Sequence, residues 1–145
     1  MESKEKVKEL LNNLDKIGGI GLSVAEQGII AFSKMQLKKI LESVEKFENS
    51  IKDKNWDQSI VSLIGTVEKV NILYAYLMQP SVLSSLMSSK VGEIAESSLD
   101  VLTDLMGEAI TTMKRNLKEM GLETLSVSMN SSPPTFNISL SIKSQ

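Results

Sequence analysis

The chain predicts a mostly α protein: a four-helix-type bundle with a C-terminal β-hairpin or extended tail. Three observations carry that expectation. Between Ser3 and Met120, apolar residues recur three and four positions apart, the period of an amphipathic helix. Glycines, a proline and capping residues interrupt this period, so the segment divides into several helices. Beyond Leu122 the period falls to two, the signature of strands. The expected organisation is a helical bundle domain over 1–121 and a hairpin or tail over 122–145.

Helix one is expected from about Ser3 to Ile17. Val7, Leu10, Leu11, Leu14 and Ile17 form its apolar stripe, with Lys4, Glu5, Lys8 and Glu9 outside it. Gly18, Gly19 and Gly21 end it. The GGIGLS stretch lacks the third glycine and the preceding strand of a phosphate loop, so it reads as a helix–helix turn. Ser23 and Glu26 have the spacing of a capping box and start a long second helix. Its apolar row is Ile29, Ile30, Met35, Leu37, Ile40, Leu41, Val44, Phe47 and Ile51, and lysines mix with glutamates on the other side.

Asp53 or Asn55 is expected to cap a third helix over about Trp56–Met78, with a core row of Trp56, Ile60, Ile64, Val67, Val70, Leu73 and Leu77. Between Gln58 and Ser89 only Glu68 and Lys69 are charged, which suits a central helix. The alternative is a second face, through Tyr74, Tyr76 or Met78, buried against a partner. The uncharged run 70–89 approaches the length of a membrane span, but Asn71, Gln79, Pro80 and five serines interrupt it. Pro80 ends the helix and suits the start of a short one, Ser81–Met87.

The last helix is expected over Val91–Met120, with Ile94, Ala95, Leu99, Leu102, Leu105, Met106, Ala109, Met113 and Leu117 inward. Gly121 stops it, and Leu122 is placed for the apolar contact of a Schellman ending. Leu125, Val127 and Met129, then Phe136, Ile138, Leu140 and Ile142, alternate with small polar residues on either side of NSSPPT. That pattern reads as a hairpin, which is marginal alone and needs the bundle or a partner to cover its apolar face.

Composition bounds the chemistry. The 145 residues are 41% hydrophobic and 23% charged, as in an ordinary soluble domain. Cys and His are absent, which removes thiolate nucleophiles, zinc fingers and imidazole bases. No nucleophile motif stands in their place, so an enzyme is not expected, nor a cofactor or metal. A net charge of −2 argues against direct nucleic-acid binding. MESKEKVKEL has no apolar h-region, so secretion is not expected, nor is membrane insertion.

One electrostatic feature stands out. Between Val91 and Met113 lie Glu93, Glu96, Asp100, Asp104 and Glu108, with no Lys or Arg among them. Spacings of three and four place all five on one side of a helix, over roughly 22 Å. The bland reading is a solvated face helped by the helix dipole. Against it, Glu96/Asp100, Asp100/Asp104 and Asp104/Glu108 are like-charge pairs one turn apart, each slightly destabilising. The sharper expectation is that the row meets a basic surface on a protein partner. Glu96 and Asp100 also have the spacing to share a hard cation, but they lie on an expected open face. The tail residues Met129, Pro133, Pro134 and Phe136 are candidates for additional protein contacts.

In length and layout the chain resembles the RNA-polymerase inhibitory proteins of archaeal two-tailed viruses, which are related to the helical coat proteins of those viruses. The resemblance spans helix one at Val7–Ile17, the acidic helix at Val91–Met120 and the tail at Leu122–Gln145. It implies a viral inhibitor in the cytoplasm of the host cell. Such a protein lodges in the DNA-binding channel of host RNA polymerase, restrains the clamp, and blocks initiation and elongation complexes. It brings no binding residues by motif. The alternative expectation is a coat-like structural protein, a homo-oligomer assembling through the weakly charged third helix and the hairpin edge.

Overall fold

The computed structural model describes residues 1–17, 21–86, 90–131 and 134–142. Five helices precede a two-stranded antiparallel sheet: α1 (Glu2–Ile17), α2 (Val24–Lys52), α3 (Trp56–Leu77), α4 (Pro80–Leu86), α5 (Lys90–Met120), β1 (Leu122–Ser131) and β2 (Pro134–Ile142). This is the expected mostly α bundle with a hairpin tail.

Local chemistry sets most boundaries. The Ser23 hydroxyl accepts from the Glu26 N–H, and the Glu26 carboxylate accepts from the Ser23 N–H, each at 3.1 Å. That reciprocal cap starts α2. Asn55 caps α3 by accepting from the Gln58 N–H at 3.3 Å. Between the two helices Lys54 sits at φ 55, the left-handed conformation that closes many helix ends. Gly121, at φ 73, ends α5 and lets the chain turn directly into β1. Of the GGIGLS stretch, Gly18, Gly19 and Ile20 lie outside the described residues.

α2 and α3 form an antiparallel pair, α1 packs on α5, β1 lies on α5 and β2 on α3. Leu10, Leu14, Leu37, Ile40, Leu73, Leu102, Leu105 and Met106 fill the main core. Phe47, Leu63, Ala109, Met113 and Leu125 form a second core beneath the hairpin. α3 is long and apolar enough to cross a membrane by length and composition, and it serves here as a core helix of the bundle.

Two expected core positions face outward. Ile64 is 43% exposed and Met35 is 45% exposed. Their places are taken by Leu63 and by small polar residues: Ser33, Gln36, Ser43 and Ser50 on α2, and Ser59, Ser62 and Thr66 on α3, all buried. α3 is wedged between α2, α5 and β2, so it buries a wide arc that no single row describes. Four of the buried hydroxyls, those of Ser50, Ser59, Ser62 and Thr66, are bonded locally. Ser50 donates to the Phe47 carbonyl at 2.6 Å and lies 2.8 Å from the Ser59 hydroxyl, while Thr66 donates to the Ser62 carbonyl at 2.8 Å. The same helix pair is closed at its other end by Phe32 and Tyr76, with ring centroids 4.1 Å apart.

The hairpin register sets Leu125 opposite Leu140, Val127 opposite Ile138 and Met129 opposite Phe136. The Asn71 side chain on α3 pins it. Its amide donates to the Phe136 carbonyl at 3.0 Å and accepts from the Phe136 N–H at 2.8 Å. One side chain thus meets both backbone groups of a strand residue, as a neighbouring strand would.

Candidate protein-binding face

α5 buries Leu102, Leu105, Met106, Ala109 and Met113. At about 100° per residue, the opposite side must be polar and outward. Glu93, Glu96, Asp100 and Asp104 are exposed there and Glu108 is half-buried at its margin. The helix therefore brings the five carboxylates to one side, and α1 then divides them into two groups.

α1 runs antiparallel to α5, with Ser3 beside Glu108 and Lys6 beside Asp104. Both Glu108 oxygens accept from the Ser3 N–H at 3.2 Å, so Glu108 caps the first turn of α1 from another helix. The Lys6 ammonium lies 3.7 Å from Asp104. Glu93, Glu96 and Asp100, past this contact, have no hydrogen-bond or ion-pair partner among the described residues. Spacing within α5 could not disclose the split, because both partners come from a helix some hundred residues away in sequence.

A groove of about 590 Å³ runs between the two helices, lined by Met1, Ser3, Lys6, Thr103, Asp104, Gly107, Glu108, Thr111, Thr112 and Arg115. It mixes both signs of charge. Among the described residues no group of three or more carboxylates is arranged to hold a metal.

Tyr74 supports the row from beneath. Its hydroxyl donates to the Leu99 carbonyl at 2.7 Å and also bonds the Thr103 hydroxyl. Burial pushes the Tyr74 pKa up, and the neighbouring Asp100 and Asp104 charges add to that push against the Thr103 bond. α3 thereby holds the middle of the acidic helix in place.

Of the tail residues, Phe136 is buried and packs edge-on against Tyr74 with centroids 5.6 Å apart, so it serves the core. Met129 stands opposite it in β1, and Pro134 opens β2. Pro133 lies outside the described residues. Asn71, which anchors this strand, has no sequence signature beyond being a polar residue in an apolar helix. No family model, curated protein or solved structure matches the chain.

Proposed function

We propose that the protein is a non-enzymatic binding module whose acidic α5 face docks on a basic protein surface. The partner proposed is a host RNA polymerase, with the module occupying its DNA-binding channel and blocking initiation and elongation complexes. One observation carries the reading: Glu93, Glu96 and Asp100 are exposed and lack an internal cation among the described residues. Like charges one turn apart oppose helix formation slightly, and a basic surface outside the molecule relieves that cost. A channel built for nucleic acid is such a surface, and complementary charge accelerates encounter with it. The choice of polymerase rests on the resemblance in layout.

Capture of purified archaeal RNA polymerase across a salt series tests this. The expected result is capture at low salt that weakens as salt rises, together with loss of promoter-DNA binding. The variant carrying Glu93→Lys, Glu96→Lys and Asp100→Lys should fold and fail to capture. No capture at low salt would reject the polymerase as partner.

A second reading has its own observation. Val61, Ile64 and Ile72 lie along the outward face of α3 and are 62%, 43% and 50% exposed. A stripe of that kind favours a coat-like structural protein that assembles through α3. Such assembly would persist at high salt, because burying apolar surface does not depend on charge.

A further inference from the structure

The outward face of α5 carries a second block of charge, opposite in sign to the first. Lys114, Arg115 and Lys118 are exposed near its C-terminus, as Glu93, Glu96 and Asp100 are near its N-terminus. At about 100° per residue, Glu93, Asp100 and Lys118 fall within about 20° of one another, and Glu96, Lys114 and Arg115 within about 60° of them. None of the six takes part in an ion pair within the described residues. The helix thus shows an acidic end, a basic end and, between them, small residues along the groove that α1 borders.

A face of this kind complements itself when reversed. Glu93 and Glu96 lie about 60° apart around the helix, and Lys118 and Lys114 repeat those two angles to within about 20°. Parallel pairing of two such helices would set acid on acid. Antiparallel pairing sets Glu93 on Lys118 and Glu96 on Lys114 twice over, and it also opposes the two helix dipoles favourably. The centre of the face permits close approach. Gly107 is exposed, and a Cβ built there would meet nothing within 4 Å. Of the two carboxylates near the centre, Asp104 is already met by Lys6 and Glu108 by the Ser3 N–H of its own chain.

We propose that two copies of the chain pair through α5, antiparallel about a two-fold axis between Thr103 and Gly107, with the acidic end of each helix on the basic end of the other. A second copy fits this face better than an unrelated basic protein does, because it satisfies both blocks at once. A uniformly basic partner would leave Lys114, Arg115 and Lys118 opposed. The symmetry is closed, so pairing stops at a dimer. A single helix face gives a small contact, and exposed ion pairs are individually weak, so the dimer is reversible and sensitive to salt. The inference does not rest on the polymerase reading. It adds a relation to it: the dimer covers the same carboxylates that a basic partner would need, so the two associations compete.

Sedimentation of the full chain at increasing concentration, at about 20 mM and about 0.5 M salt, tests the proposal. The expected result is a monomer–dimer equilibrium at low salt that dissociates at high salt. Two charge-reversed proteins sharpen the test. One carries Glu93→Lys, Glu96→Lys and Asp100→Lys; the other carries Lys114→Glu, Arg115→Glu and Lys118→Glu. Each alone should dimerise about tenfold more weakly or worse, with unchanged helix content by circular dichroism. Mixed in equal amounts they should form a heterodimer, since every opposed pair is then attractive. A wild-type protein that stays monomeric into the millimolar range at low salt overturns the proposal. So does a dimer indifferent to salt and to both reversals, which would place assembly on the apolar face of α3 instead. Neither result bears on capture of polymerase, which is measured separately.

Discussion

Glu108 illustrates how a residue's role changes once tertiary structure is known. By spacing it belongs to the acidic row; by contact it caps α1, accepting from the Ser3 N–H with both oxygens. A lost cap typically costs about 1 kcal/mol. Glu108→Ala should therefore lower the free energy of unfolding by about that amount, measured by urea denaturation, while leaving the exposed charges at Glu93, Glu96 and Asp100 in place. Glu48 yields a prediction in pH. Burial pushes its pKa up, but the Lys4 ammonium at 2.9 Å and the Met1 ammonium at 3.0 Å more than offset that and hold it below its ordinary 4.5. A depressed carboxylate stabilises the fold fully above its unfolded value, and that contribution fades as pH falls through the folded one. Glu48→Gln should accordingly flatten the loss of stability below about pH 4.5 in acid titrations followed by circular dichroism. Lys54 marks a limit of legibility at this scale. A left-handed residue closing a helix is usually glycine, and the lysine found there carries no such signal.

At the scale of elements, boundaries were the most legible part. Ser23 with Glu26, Asn55, Pro80 and Gly121 all act where their chemistry requires, because caps and breakers work through backbone groups within four residues. The burial pattern of α3 was less legible. A row of large apolar residues was expected, yet Ser59, Ser62 and Thr66 are buried and Ile64 is not. Hydroxyls that bond a carbonyl of their own or the facing helix bury without penalty, and hydropathy patterns do not register that compensation. The hairpin was legible as alternation, but its anchor was not. Asn71 meets both backbone groups of Phe136, so Asn71→Leu leaves a part-buried N–H and carbonyl unpartnered. It should cost about 1–3 kcal/mol and speed hydrogen exchange at the Phe136 amide more than in α1, as read by mass spectrometry.

At the scale of the whole molecule, a net charge of −2 conceals a segregated surface. The sequence disclosed the sign and the helix face of the acidic row, since both follow from spacing alone. It could not disclose that α1 consumes the row's C-terminal part, because that depends on how the helices pack. What remains, Glu93, Glu96 and Asp100, makes no hydrogen bond or ion pair among the described residues. Asp100 is the most informative of the three. It lies well past the first turn of α5, beyond the reach of a favourable helix dipole, and has like charges one turn away on both sides at Glu96 and Asp104. Asp100→Lys replaces two repulsive pairs by two attractive ones, each worth about 0.2–0.5 kcal/mol. If the row exists for association, this variant should be more stable than the parent by roughly 1 kcal/mol, with a higher thermal midpoint. The same change should weaken salt-sensitive association in sedimentation and capture. A gain in stability coupled to a loss of binding is what a surface kept for a partner implies. A loss of stability would show instead that Asp100 is structural, with Tyr74 and Thr103 beneath it as the first places to look for its role.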